Sequence, residues 1–194
     1  MKKICCLLFF SGIVSFAFAQ QPKTASSDAV FSETINKVVL DFTHNFINIQ
    51  GGKIPADVDA DAYKSNVCVP GALGCKIMRY HSVEDKSANW QAGLYEGESF
   101  AEALKMYKKV FGQLKKTPVK GIDNTPTGFD GKMESVDENV GFAVCSLRLK
   151  TKNKLYKSLV AEVEITSNYT GWEVHLNIYT KTVIEEEKEE GNMQ

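Results

Sequence analysis

The chain has 194 residues, of which 43% are hydrophobic and 24% are charged. That length is enough for one domain to bury a sizeable apolar core without further help. The formal net charge is −1, from 23 basic and 24 acidic side chains, so no strong positive field favours a nucleic-acid partner. We therefore expect one globular domain with no role in nucleic-acid binding.

The N-terminus has the pattern of a secretory signal peptide. A basic start at Lys2 and Lys3 precedes an apolar run at 4–18, and Ala17 and Ala19 occupy the −3 and −1 positions of a cleavage site. The run is shorter than the roughly 20 apolar residues that a membrane-spanning helix needs. The pattern predicts cleavage after Ala19, export to a bacterial periplasm or beyond, and no stable membrane insertion.

A polar, flexible leader is expected at 20–27, followed by the first helix. Apolar residues then recur at intervals of three and four, which is typical of one face of an amphipathic helix. The Gly51-Gly52 pair is expected to end it. The apolar positions are Phe31, Ile35, Val38, Phe42, Phe46 and Ile49.

Three acidic residues alternate in the following loop, as they do in calcium-binding loops. Asp57, Asp59 and Asp61 match part of that pattern, but Ala62 and Cys68 stand where a helix-loop-helix calcium site needs Gly and Glu. The pattern favours an acidic, solvated loop. We expect no metal site and no other cofactor.

Two cysteines flank a Pro-Gly turn in the stretch "VCVPGALGC" at 67–75. In an oxidising compartment, Cys68 and Cys75 are the natural disulfide pair, because the short loop between them closes at small entropic cost. Two free thiols, a redox pair or a metal site are the alternatives. A zinc site would require further ligands at suitable spacing, which the sequence does not supply.

The second helix has the clearer signal. Ser99 and Glu102 form a capping-box pattern, and Pro118 marks the outer limit of the helix. The apolar stripe consists of Phe100, Leu104, Tyr107, Phe111 and Leu114. Lysines occupy the opposite face, where they are either ordinary solvated side chains or a surface for an anionic polymer. These lysines, the candidate anion-binding residues, are Lys105, Lys108, Lys109, Lys115 and Lys116.

The rest of the chain alternates with the period of two that is typical of strands. Trp90 and Trp172 fall on apolar registers and are expected in the core. The turn-rich segment "GIDNTPTGFDG" at 121–131 is expected to be a long connection. The predicted strands cover 75–81, 89–95, 140–149, 159–165 and 172–178, with a hairpin turn at 167–171.

The last hairpin raises the question of catalysis. If Ile165 pairs with Trp172, Glu162 lies directly across from His175 on the solvated face. A catalytic interpretation would use Cys145 as a nucleophile and His175 as its base. The alternation around Cys145 instead favours a small buried side chain. No catalytic residue is therefore assigned.

These elements predict an α+β fold in the order α-β-β-α-β-β-β. Two amphipathic helices would pack on one face of a mostly antiparallel sheet of about five strands. The domain would cover 28–184 and end in an acidic disordered tail at 185–194.

For function, the sequence favours an exported, soluble, non-catalytic binding or interaction domain of a bacterial envelope. One alternative is a small periplasmic hydrolase without an identified site. A second is a protein that binds an anionic polymer through the lysine face of the second helix. A structural envelope component that assembles with itself is the third.

Overall fold

The computed structural model of the protein describes residues 26–56, 58–82, 87–124 and 126–181. The expected signal peptide at 1–19 and the acidic tail at 185–194 lie outside these ranges, together with most of the leader and Asp57. No helix in the described ranges is long and apolar enough to cross a membrane.

Strands form most of the secondary structure in the described part of the chain. Each α-helix begins at a serine cap: Ser26 Oγ accepts a hydrogen bond from Ala29 N and Ser99 Oγ accepts one from Glu102 N, each at 3.3 Å. The elements are α1 (Ser27–Asp41), β1 (Gln50–Ile54), β2 (Ala60–Ser65), β3 (Gly74–Tyr80), β4 (Ala88–Gly97), α2 (Phe100–Lys116), β5 (Pro118–Val119), β6 (Thr127–Gly131), β7 (Phe142–Leu149), β8 (Leu159–Asn168) and β9 (Gly171–Thr180). Two short 3-10 helices cover Phe42–His44 and Lys154–Tyr156.

The strands form one antiparallel sheet in the order β1-β2-β3-β4-β9-β8-β7-β6-β5. It consists of two meanders, β1 to β4 and β5 to β9, with α2 connecting them. The last strand of each meander pairs with that of the other, so β4 and β9 lie at the centre. This joint brings residues from distant parts of the sequence together on one surface.

The predicted fold class is wrong in two respects. The fold is mainly β, with nine strands in the described residues instead of about five, because β1, β2, β5 and β6 had no clear alternating pattern. β6 lies inside the segment expected to be a long connection. The helices also do not both pack on one face of the sheet, because α2 covers β4, β9, β8 and β6 while α1 packs on α2 and the edge strand β5.

The position of α1 follows from a side chain that binds the edge of the sheet. Asn36 Nδ2 donates to Pro118 O, and Asn36 Oδ1 accepts from Lys120 N, both at 2.8 Å. An edge strand presents unpaired backbone groups, which a covering helix can satisfy. α1 therefore protects the β5 edge.

The first helix ends at Asp41, before the predicted end at Gly51-Gly52. Asn45 and Phe46 have φ values of 53° and 59°, which reverse the chain. The buried Asp41 carboxylate stabilises the turn by accepting hydrogen bonds from Asn48 N at 3.1 Å and Ile49 N at 3.2 Å. Phe46 and Ile49 thus reach the core through a turn instead of a helix.

The core lies between α2 and one face of the sheet, and the buried side of α1 extends it next to α2. Trp90 is fully buried and Trp172 is 8% exposed, which confirms both core predictions. The opposite face of the sheet, which we call the open face, carries the alternate residues of the same strands. The site described next lies on the open face.

Candidate functional site

The open face contains a groove of about 420 Å³ that extends from β1 to β9. Three strands separate β1 from β9, a span of about 19 Å in a flat sheet. One cavity bordered by Ile54 on β1 and by His175 on β9 indicates that the sheet curls with this face concave. Register irregularities in β1 and in β4, between Gly93 and Tyr95, add to the bending.

Two glycines form the floor of the groove. Gly74 on β3 pairs directly with Gly93 on β4, and the next residue across the sheet is His175. Neither glycine has a positive φ, so the backbone itself does not require glycine at either position. A Cβ at Gly74 would have no neighbouring atom within 4 Å, and one at Gly93 would make only ordinary contacts at 4.0 Å. What the two glycines provide is open space above the backbone.

An apolar rim borders this floor. Ile54, Leu73 and Tyr95 line the groove, and Leu73 is 66% exposed. Leu73 N donates to Gly93 O at 2.8 Å, which holds this exposed leucine beside the floor. The rim offers apolar contact to anything that enters.

The predicted disulfide is confirmed and supports the same rim. Cys68 and Cys75 are bonded, with their Cα atoms 5.4 Å apart. Gly71, with φ of +79°, completes the Pro-Gly turn between them, in which Ala72 N donates to Val69 O. Because Cys75 lines the groove, the bridge fixes the loop that carries Leu73.

Two lysines lie at one end of the groove. Lys64 on β2 is directly opposite Lys76 on β3, and both line the cavity. Like charges directly opposite each other on neighbouring strands are destabilising. Lys64 is exposed and Lys76 is half-buried. This end of the groove is therefore positively charged.

The other end carries acidic groups around His175. His175 Nε2 lies 2.8 Å from Glu173 Oε2, whereas Nδ1 is buried and has no hydrogen-bond partner in the described structure. Glu164 lies across from His175, and burial raises the pKa of its carboxyl. His175 opposes this rise in pKa, whereas the carboxylates of Glu162 and Glu173 add to it.

The predicted hairpin register is wrong by two residues. Ile165 pairs with Val174 and not with Trp172, so Glu164 lies across from His175 and Glu162 lies across from Asn177. The turn at 169–170 is tighter than the sequence indicated, since Asn168 pairs with Gly171. The alternation correctly separated the two faces, because a shift of two residues keeps every side chain on its face. The prediction that Glu162 is solvated is wrong, because it is only 8% exposed.

A polar network centred on the buried Glu162 adjoins the groove on β7, β8 and β9. Glu162 is 8% exposed and accepts hydrogen bonds from Ser146 Oγ at 2.6 Å and Tyr179 Oη at 2.9 Å. Lys181 Nζ lies 3.5 Å from the same carboxylate and is also buried. Asn177 Oδ1, in the next position, accepts from Gln91 Nε2 at 2.9 Å. The network fills this part of the open face.

The structure separates the two members of the alternative catalytic pair. Cys145 is fully buried on the helix-covered face, where its Sγ lies 2.7 Å from Tyr107 Oη. His175 is on the open face, so the sheet lies between them. Burial raises the pKa of the Cys145 thiol, while its hydrogen bonds from Tyr107 and the Glu134 backbone oppose the rise. Cys145 is a core residue, as its alternation predicted.

The lysine face of α2 lies away from the groove, and all five of its predicted anion-binding residues are exposed. Lys115 Nζ binds Asp130 Oδ1 at 2.7 Å and Gly131 O at 3.1 Å. Hydrogen bonds from Lys115 and Lys150 hold the pKa of the Asp130 carboxyl down to about 2. The face remains a predicted anion surface, formed mainly by Lys105, Lys108, Lys109 and Lys116.

The acidic loop shows no arrangement of metal ligands. Asp61 lies on β2, 2.5 Å from Lys53 Nζ and 3.3 Å from His81 Nε2. The described residues contain no group of three or more side chains placed to hold a metal ion. Asp57 lies outside them.

Sequence reasoning singled out Cys75 and His175 and missed the other residues that shape the groove. Gly93 carried a usable signal, because an isolated glycine inside a strand pattern indicates a bulge or a close approach of another group. Lys64 and Gly74 carried none, since neither their strand partners nor their face was predicted.

A scan against protein-family models, a search of curated proteins and a search of solved structures each find no match to this chain.

Proposed function

We propose that this protein is an exported, non-catalytic binding protein that holds a small organic ligand in the groove of the open face. The paired glycines at 74 and 93 support this proposal most directly. The backbone conformation does not require glycine at either position, and the missing side chains leave the floor of the groove open. A glycine inside a strand commonly marks a place where a ligand approaches closely.

The size and composition of the groove support this function. Ligand pockets usually measure about 300–1,000 Å³ and combine an apolar lining with a few polar groups. The groove has about 420 Å³, an apolar rim and charged residues at both ends. These are the proportions of a site for a small amphipathic molecule.

Binding is favoured over hydrolysis by the surroundings of His175. Glu173 orients its ring as an acid-base catalyst would require. However, the residues that line the described groove include no serine, threonine or free cysteine that could act as a nucleophile. Tyr95 Oη already donates to Ser99 O at 3.2 Å.

The disulfide supports export. Such bonds form and persist in oxidising compartments, and the basic and apolar pattern of the N-terminus is typical of a secretory leader. A bacterial periplasm or the extracellular space is therefore the proposed location.

The test uses 1-naphthylamine, a neutral fluorescent probe small enough for the groove, with two matched variants. Gly74 and Gly52 are both exposed strand glycines at which an added Cβ meets nothing within 4 Å, but only Gly74 lines the groove. We expect Gly74→Val to weaken probe binding by at least about tenfold, or 1.4 kcal/mol. Gly52→Val should bind like the wild type.

Nuclear magnetic resonance locates the bound probe. Amide signals of Gly93 and His175 should shift on titration, and those of the lysine face of α2 should not. Absence of binding to the wild type, or equal weakening by the two variants, would exclude the groove as the site.

A further inference from the structure

The lysine pair of the groove is distinguished by its position, because its two members lie directly opposite each other on neighbouring strands and line one cavity. Lys53, Lys115 and Lys150 each have a carboxylate partner within 3.0 Å. Lys64 and Lys76 have none among the described residues, although they lie directly opposite each other. Their mutual repulsion is therefore not offset within the described part of the protein.

The neighbouring polar groups do not compensate this charge. Gln91, directly across from Lys76, donates its amide to Asn177. Glu173 is engaged by His175 and by the side chain of Asn168. Glu96 on β4 lies directly across from Glu173, so both acidic residues of the groove lie beyond the glycine floor from the lysines.

We infer that the ligand of this groove is an amphipathic organic carboxylate, with its head group between Lys64 and Lys76 and its apolar body over the glycine floor. The inference rests on the proposed function and specifies its ligand. A carboxylate placed there would replace a repulsion by two charge-assisted contacts. Ile54, Leu73 and Tyr95 would then cover the apolar body.

The volume sets the size of the ligand. At about 30 Å³ for each water-sized group, a cavity of 420 Å³ holds about fourteen heavy atoms. Decanoate, with twelve heavy atoms, fits within this estimate. Decan-1-ol has the same apolar chain without the charge, and acetate has the same charge without the chain.

The experiment measures displacement of 1-naphthylamine by these three compounds, with decanoate below its critical micelle concentration and decan-1-ol below its solubility limit. In the wild type, decanoate should bind at least about tenfold more tightly than decan-1-ol, and acetate should displace nothing at the same concentration. The preference for decanoate should decrease with added salt, because screening weakens exposed charge pairs.

Two charge-matched double variants identify the lysines responsible. Lys64→Gln/Lys76→Gln should weaken decanoate by at least about tenfold and change decan-1-ol by less than about twofold. Lys105→Gln/Lys108→Gln removes the same charge from α2 and should change neither. The exposed Lys64→Gln single variant provides the same test, with about a threefold loss, if the double variant folds poorly.

The outcomes separate this inference from the proposed function. If the probe binds but decan-1-ol equals decanoate, or the α2 variant weakens decanoate as much as the groove variant, the carboxylate inference is overturned and the groove remains a binding site. If the probe does not bind the wild type at all, both fail.

Discussion

The two halves of the open face are built on the same strand geometry, but their side chains serve opposite purposes. On β7, β8 and β9, polar side chains bond to one another, and Glu162 alone accepts hydrogen bonds from Ser146 and Tyr179. On β2, β3 and β4, glycines replace side chains, and Lys64 and Lys76 face each other without a described carboxylate partner. The β7, β8 and β9 half is filled by side chains that hydrogen-bond to one another, whereas the β2, β3 and β4 half has open space beside two positive charges.

This difference shows that burial of polar groups alone does not identify a binding site. A buried network that satisfies its own hydrogen bonds has no need of a ligand, and it mainly stabilises the structure. Open space next to uncompensated charge is what a ligand can fill. The following predictions test this division, starting with the largest expected effect.

Replacing Glu162, at the centre of the polar network, should destabilise the half of the open face formed by β7, β8 and β9. Glu162→Ala removes a buried carboxylate that accepts hydrogen bonds from Ser146 and Tyr179 and lies 3.5 Å from Lys181 Nζ. Because each hydrogen bond to a charged group contributes roughly 1.5–3 kcal/mol, losing two of them should lower the free energy of unfolding by about 3 kcal/mol. Urea denaturation measures it. Glu96→Gln, an exposed carboxylate in the groove, is the control and should change stability by less than about 0.5 kcal/mol.

Removing the disulfide should lower both the free energy of unfolding and the affinity of the groove for the probe. Cys68→Ser/Cys75→Ser releases a short loop, so we expect a loss of about 2–3 kcal/mol on the chain-entropy model. Probe affinity should also fall, because Leu73 is no longer held at the rim. Reductant should bring the wild type to the stability of the variant and leave the variant unchanged. Equal stability of the two oxidised proteins would contradict this role of the bridge.

Glu164 lies at the boundary of the two halves, and its contribution to the free energy of unfolding should depend on pH. Its pKa is raised by burial above the ordinary value of 4.5, so its contribution to stability is fully present below that value and is lost as pH rises through the folded-state pKa. Glu164→Gln cannot ionise and should be more stable than the wild type at pH 7, by about 0.5 kcal/mol.

This difference should shrink as pH falls towards 4.5, which thermal unfolding across the pH range would measure. Glu98→Gln, which changes an exposed carboxylate elsewhere on the surface, is the matched control and should show no such trend. A difference for Glu164→Gln that grows on acidification would contradict the assigned direction.

The lysine face of α2 should have the smallest effect on stability and none on the groove. Lys108→Glu/Lys109→Glu changes exposed residues, so each substitution should cost less than about 0.5 kcal/mol. If this face binds an anionic polymer, retention of the wild type on heparin should fall steeply with salt, and the variant should be retained less. Unchanged retention would leave these lysines as an ordinary solvated surface. Probe affinity should stay at the wild-type value.

Local patterns predicted the elements that depend on local chemistry. The capping box at Ser99 and the apolar stripe of α2 required no distant contact, and the strong alternation of β8 and β9 identified their buried faces. The disulfide was also predictable, because the loop between Cys68 and Cys75 is short. Polar strands such as β2 were missed because they are stabilised by their neighbours more than by their own pattern.

The sequence by itself determined which side chains of the strong strands face the core, which cysteines pair, and where α2 begins and ends. Only the tertiary structure decided which residues meet across the sheet, because the two-residue period assigns a face but no partner. Gly74 opposite Gly93, Lys64 opposite Lys76, and His175 next to Gly93 all depend on strand register and on the β4–β9 joint. The groove therefore exists only in the assembled sheet.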